Sequence, residues 1–189
     1  MHMITDDNAQ PSQKKCNRSN ARSIELRFAL MFLLVFFVLH AGYTACQGTW
    51  IEHAVIDNAT VRPSVVFIDW VSPEAQAQAR GNRILSPLGS LSIVNGCEGL
   101  ESLFLLWAAM IAFPSHWRRK LRGVLLGTLL IYLLNQARII TLFYALHEDR
   151  RWFDLLHGYI APTFIIVAGG VFFLGWASHT LRQSDAVPG

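Results

Sequence analysis

The sequence predicts an all-α integral membrane protein: a bundle of about four transmembrane helices with a mixed outer loop in which short strands are expected. Three observations carry this. Only 15% of the 189 residues are charged, whereas a soluble domain carries about 25%. Hydrophobic residues reach 52%, with a mean hydropathy of +0.33. These residues are also bunched into long runs rather than spread through amphipathic repeats.

The elements follow in order. Residues 1–27 are polar and basic and read as a disordered cytoplasmic tail. Residues 28–46 form the first apolar run; its charge-free core, continued to Cys46, matches the roughly 20 residues that cross a bilayer. Residues 47–96 are of mixed polarity, with Pro63, Pro73 and Pro87. Residues 65–71 and 88–94 have strand-like composition, and residues 73–80 suit a short helix. Residues 97–114 form the second and shortest span, 115–120 a basic loop, and 121–146 the third span. Residues 147–156 form a second outer loop, 157–177 the fourth span, with Pro162 tolerated in its first turns, and 178–189 a cytoplasmic tail. Small residues such as Gly127, Ala168, Gly169 and Gly170 are expected to let the spans approach closely.

Basic residues set the orientation, because cytoplasmic loops are enriched in Lys and Arg. Ten lie in the amino-terminal tail, the 115–120 region with Arg122, and the carboxy-terminal tail; five lie in the 47–96 and 147–156 loops, diluted by acids. Both termini are therefore expected in the cytoplasm, with the two loops facing outward. The net charge of +3 sits beside apolar runs, which favours lipid headgroups over nucleic acid as the anionic partner. An alternative reads residues 28–45 as a signal peptide cleaved near Cys46; the run is long for that, and Tyr43 makes a poor lipobox.

Ionisable residues in spans are costly and are functional candidates. Here they are Glu98, Glu101, Arg138 and His157, joined by the thiol of Cys97. Cys97, Glu98 and Glu101 open the second span at its outer end, and His157 opens the fourth at the same side. Arg138 lies 17 residues after Leu121, about 26 Å up the third helix. Three helices thus carry a thiol, a guanidinium and an imidazole to one membrane level. Asn135 shares a face with Arg138, and a Glu101–Arg138 ion pair is expected to offset the cost of the charge.

This set suits acyl transfer. A neighbouring cation favours the thiolate of Cys97. His157 can protonate a leaving amine and later deprotonate an incoming nucleophile. Arg138 can stabilise an oxyanion. No serine–histidine–aspartate set is placed comparably. No cofactor or metal is expected: there is no CxxC, HExxH or glycine-rich phosphate loop.

The segments Asn95-Gly96-Cys97-Glu98-Gly99-Leu100, Asn135-Gln136-Ala137-Arg138-Ile139 and Leu156-His157-Gly158 occur in this order, each at the edge of a span. They resemble the three signature blocks of the exosortase/archaeosortase family, over roughly residues 85–175. The compact length and the wording around Cys97 look most like the exosortase H type. The resemblance implies catalytic Cys97, Arg138 and His157; Asn135, Glu101 and Glu98 are read from their positions as supporting residues. It implies a bacterial inner-membrane cysteine protease or transpeptidase whose site faces the periplasm. The implied substrates are membrane-anchored exported proteins with C-terminal sorting signals: a motif, a span and a basic tail. They would be held as a thioester on Cys97 and passed to an acceptor of unknown identity. The chain departs from many members in offering four spans rather than around eight, and in placing Glu98 where a small polar residue is often found.

Plainer readings stand beside these. Cys97 is also placed for a disulfide with Cys46, and Arg138 for snorkelling to the interface. His53, His116, His147 and His179 read as loop or cap residues, and Trp50, Trp107, Trp117, Trp152 and Trp176 as interfacial anchors. A non-enzymatic assembly or transporter subunit is the rival function. It needs charges at several depths, whereas these share one level. A protease releasing its product to water shares the same acyl-enzyme.

Overall fold

The computed structural model describes residues 10–87, 89–93 and 96–185. Helix α1 (Gln10–Ala45) begins within the polar amino-terminal segment and continues through the first apolar run. Helix α4 (Leu100–Ala112), helix α5 (Trp117–Glu148) and helix α7 (Ala161–Asp185) complete the membrane part. A short helix α6 (Arg150–Leu155) and a π-helical turn (Leu156–Ile160) run directly into α7.

Three helical segments are long and apolar enough to cross a membrane: Ser23–Ala45, Trp117–Leu146 and Arg150–Arg182. The expectation of about four spans is corrected accordingly. Helix α4 has 13 residues, about 20 Å, which falls short of a hydrocarbon core of ~30 Å. Both of its ends are set by backbone chemistry. Gly99 precedes it at φ 78°, in the left-handed region that glycine adopts without a Cβ penalty. Phe113, at φ −69° and ψ 131°, is extended because Pro114 follows and disfavours a helical residue before it.

The 47–96 segment folds into a cap rather than an open loop. It contains helix α2 (Trp50–His53), a π-helical stretch (Ala54–Val61) and helix α3 (Arg62–Val71). Thr49 caps α2, its side chain accepting from the Ile51 amide, and Pro63 occupies the first turn of α3, which continues directly from the π-helical stretch. The strand expected over residues 65–71 is therefore helix. The short helix expected over residues 73–80 is reduced to a 3₁₀ turn at Pro73–Ala75. A three-stranded antiparallel sheet follows: β1 (Gln78–Arg80), β2 (Arg83–Ser86) and β3 (Gly89–Ser92), in the order β1-β2-β3. The strand expected over 88–94 corresponds to β3; Leu88 and Val94 lie outside the described residues. Ile84 and Leu91 sit directly opposite each other and both are buried, so one face of the sheet closes the cap's core.

The interior has two layers. The outer joins Ile56, Val61, Val65 and Ile68 of the cap, with Ile84 and Leu91 of the sheet, to Ile139, Leu142 and Phe143 on α5. Cys97 belongs to this layer. The inner layer, within the bundle, comprises Leu106 and Met110 of α4, Ile131 of α5 and Ile165 of α7. Gly127 admits the close approach expected of it: a Cβ there would lie 2.7 Å from Leu106 and 3.0 Å from Phe172. Gly169 faces Ile131, whereas Gly170 has nothing within 4 Å and is turned outward. Leu125, Leu129, Phe164, Val167, Val171 and Leu174 remain exposed, the apolar surface that lipid covers. At the opposite end of the bundle, Arg119 donates to the Thr180 carbonyl and Lys120 to the Ile111 carbonyl, tying α7 and α4 to the start of α5.

Candidate active site

The site forms where the cap meets the bundle. Cys97 lies in the turn between β3 and α4, between Gly96 and Gly99, both at positive φ. It is buried, at 8% exposure. His157 lies in the π-helical turn joining α6 to α7, a local widening of the helix of the kind that often marks functional positions. The Cys97 Sγ is 3.9 Å from both Nδ1 and Nε2 of His157. The sulfur is therefore equidistant from the two ring nitrogens. Phe153, one turn earlier, stacks on the imidazole with centroids 5.5 Å apart and planes 5° apart, which restrains the ring.

Arg138 projects from α5 and is buried. Its Nη2 donates to the His157 main-chain carbonyl at 3.3 Å. Within the π-helical turn the regular i→i−4 ladder is interrupted, and the guanidinium uses a carbonyl of that turn. Its Nε is buried with no hydrogen-bond partner. One edge of the arginine thus fixes the histidine segment while an N–H donor is left over.

Asn135, one turn before Arg138, is 2% exposed and packs flat against Gly99. A Cβ at Gly99 would lie 2.8 Å from Asn135 Cγ. The glycine after the Cys-Glu pair is thus required twice, by its left-handed φ and by the amide that covers it. The Asn135 Oδ1 has no partner.

The structure brings Cys97, Arg138 and His157 together and sets Asn135 beside them. It does not pair Glu101 with Arg138. Neither Glu101 nor Arg138 joins an ion pair among the described residues. Glu98 and Glu101 instead line a cleft against α1, with His40, Tyr43, Thr44 and Gln47. The reason is helical geometry: Arg138 faces α6 and the π-helical turn, whereas the first turn of α4 presents its acids to α1. Cys46 and Cys97 both keep their thiols and are not joined in a disulfide.

Sequence reasoning passed over three residues. Gln136 is 3% exposed; its Oε1 accepts from Ser64 Oγ at 2.6 Å and its Nε2 donates to the Ala59 carbonyl at 3.3 Å. That link anchors the cap on α5 beside Arg138. Its signal was an amide adjoining Asn135 in an apolar run. Ser64 carried no signal, being one serine in a segment of mixed polarity. Tyr43 entered only as a poor lipobox residue, yet its hydroxyl is buried against the Glu98 carboxylate.

A family model described as transmembrane exosortase (Exosortase_EpsH) matches residues 19–174. The chain belongs to that family. No curated protein and no solved structure matches it. The exosortase match begins ahead of the first membrane span and ends within α7, so it takes in the whole of the site and its cap. It agrees with the family resemblance read from the three short blocks. The molecule is an integral membrane exosortase.

Proposed function

We propose that this exosortase is a membrane-embedded cysteine protease or transpeptidase that cleaves C-terminal sorting signals of exported proteins and passes the product to an acceptor. The observation that carries the reading is the Cys97 sulfur 3.9 Å from both His157 ring nitrogens, with Arg138 bonded to the same residue's carbonyl.

The chemistry runs through those three groups. His157 takes the thiol proton, and the Cys97 thiolate attacks the scissile carbonyl. The carbonyl π electrons move to oxygen. Arg138 faces the developing oxyanion with an N–H donor and a full charge in a partly dry site. As the tetrahedral intermediate collapses, the C–N bond breaks and His157 returns its proton to the leaving amine. The substrate's amino-terminal part then remains as a thioester on Cys97. His157 next deprotonates the acceptor nucleophile, whose attack breaks the C–S bond and restores the thiol. Asn135 and Gly99 hold the turn that carries Cys97 against α5. The positive-inside pattern supports an inner-membrane placement with both termini cytoplasmic and the cap in the periplasm, where an exported substrate presents its cut site.

The test is substrate processing on a gel after co-expression with a tagged sorting-signal protein. Wild type is compared with Cys97→Ser, Cys97→Ala, Arg138→Ala and His157→Ala at matched membrane levels. All four variants are expected to lose processing, and Cys97→Ala to retain uncut substrate. Processing by Cys97→Ala at the wild-type rate would remove the nucleophile assignment and leave an assembly or transport role.

A further inference from the structure

Beside the nucleophile turn lies a second polar recess. It is a cleft of about 130 Å³ between the outer end of α1 and the first turn of α4. From α1 and the residues after it come His40, Tyr43, Thr44 and Gln47; from the other side come Gly96, Glu98, Leu100 and Glu101. Gly96 and Glu98 are the immediate neighbours of Cys97.

Its hydrogen bonding is unbalanced. Glu98 is 9% exposed, and its Oε2 is buried with no hydrogen-bond partner. The buried Tyr43 hydroxyl lies against the Glu98 carboxylate, and Glu52 adds to the negative field there. Neither Glu98 nor Glu101 joins an ion pair among the described residues. A buried carboxylate oxygen without a donor is expensive, and a carboxylate can only accept. Tyr43 offers the carboxylate a neutral donor only, so the Oε2 oxygen and the negative charge stay unanswered, and what the recess lacks is a compact, positively charged donor.

A metal ion fits poorly: no group of three His, Cys, Asp or Glu side chains suited to one occurs among the described residues. An ammonium fits well. It offers three donors and a full charge in a small volume, and a cleft of this size admits it with a short carbon stem.

We propose that this cleft is a binding subsite for a primary ammonium group, with Glu98 as its principal acceptor and Tyr43 and Glu101 completing it. Two sources share that chemistry: a small amine that accepts the acyl group, or a lysine side chain of the protein substrate. The first rests on the acyl-transfer reading above. In that case Glu98 takes one proton from the ammonium, and the freed amine attacks the thioester carbon. The C–N bond forms as the C–S bond breaks, and the second proton passes through His157 to the Cys97 sulfur.

Binding is tested without catalysis. The full chain in detergent micelles is unfolded thermally in ethylammonium chloride, tetramethylammonium chloride or sodium chloride at equal ionic strength. Ethylammonium is expected to raise Tm saturably, on the order of 5 °C at large excess. Tetramethylammonium, with equal charge and no N–H, is expected to match sodium. Glu98→Gln, which preserves shape, should abolish the ethylammonium response, and Tyr43→Phe should weaken it. An equal response to all three salts, or an unchanged response in Glu98→Gln, overturns the proposal. The sources separate in a processing reaction containing ethylamine. Ethylamide at the product's new carboxy terminus marks an acceptor subsite. Competition with substrate and no incorporation marks a lysine subsite. Because the Tm shift needs no acyl transfer, it stands or falls separately from Cys97→Ala.

Discussion

At the residue scale, Gly99 is the most constrained position of the nucleophile turn. It combines φ 78° with an Asn135 side chain 2.8 Å from where a Cβ would sit. Gly99→Ala is expected to destabilise the protein by about 1–3 kcal/mol and to impair processing. Asn135→Ala in the same chain should recover the part due to collision but not the part due to φ. Thermal unfolding of the two single variants and the double variant separates these contributions. Arg138 poses a different question, because its charge and its shape act on different partners. Arg138→Ala should lower the processing rate at least about 100-fold, the usual effect of losing an oxyanion donor. Arg138→Lys keeps the charge but not the fork that reaches the His157 carbonyl while leaving a second N–H free. It should recover little of the loss, as initial rates at matched membrane levels will show.

At the scale of elements, the π-helical turn Leu156–Ile160 sets the direction of His157. A π turn holds one residue more than an α turn. Deleting Tyr159 should restore α geometry and rotate α7 against α6 by about 100°, the angle per residue in a 3.6-residue turn. Processing should be lost while membrane insertion persists, as protease protection and the gel assay together report. The other decisive link is between α5 and the cap. Ser64 and Gln136 are both buried and bonded at 2.6 Å. Gln136→Leu leaves the Ser64 hydroxyl and the Ala59 carbonyl without that partner. It should cost about 1–3 kcal/mol and raise hydrogen exchange over Ala54–Val71, while the bundle stays protected.

At the scale of the whole molecule, the two layers of the interior answer to different solvents. The outer layer is a packed core of apolar cap and sheet residues over the end of α5. The inner layer is thin and relies on close helix approach at glycines. A Cβ at Gly123 would meet the Trp176 ring at 2.5 Å, and one at Gly127 would meet Leu106 at 2.7 Å. Gly127→Leu is expected to force α4 and α7 off α5 and to cost about 1–3 kcal/mol. Lower thermal resistance in detergent, with the cap's exchange protection retained, is the pattern that checks it. Helix α5, at 32 residues, is about 48 Å long and exceeds the hydrocarbon core, so one helix serves both layers. That is how a residue such as Arg138 is buried by protein rather than exposed to lipid.

Much of this was legible in the chain. Long apolar runs and the rare polar residues inside them are local facts, because a bilayer penalises each charge wherever it falls. The level shared by Cys97, Arg138 and His157 followed from counting residues along helices. Other features were not local. Residues 65–71 are rich in Val, Phe and Ile and read as strand, yet they are helical because Val61, Val65 and Ile68 share one face that buries against α5; their three- and four-residue spacing was the available signal. The partner of Glu101 was misjudged because matching charges in sequence says nothing of which way a helix's first turn points. The membrane class, the apolar spans and the chemical groups that gather at one end were already written in the chain, since hydropathy and charge act residue by residue. That the 47–96 segment is a folded cap, and which neighbour each polar side chain meets, emerged only in three dimensions, because those outcomes depend on contacts between residues far apart in the chain.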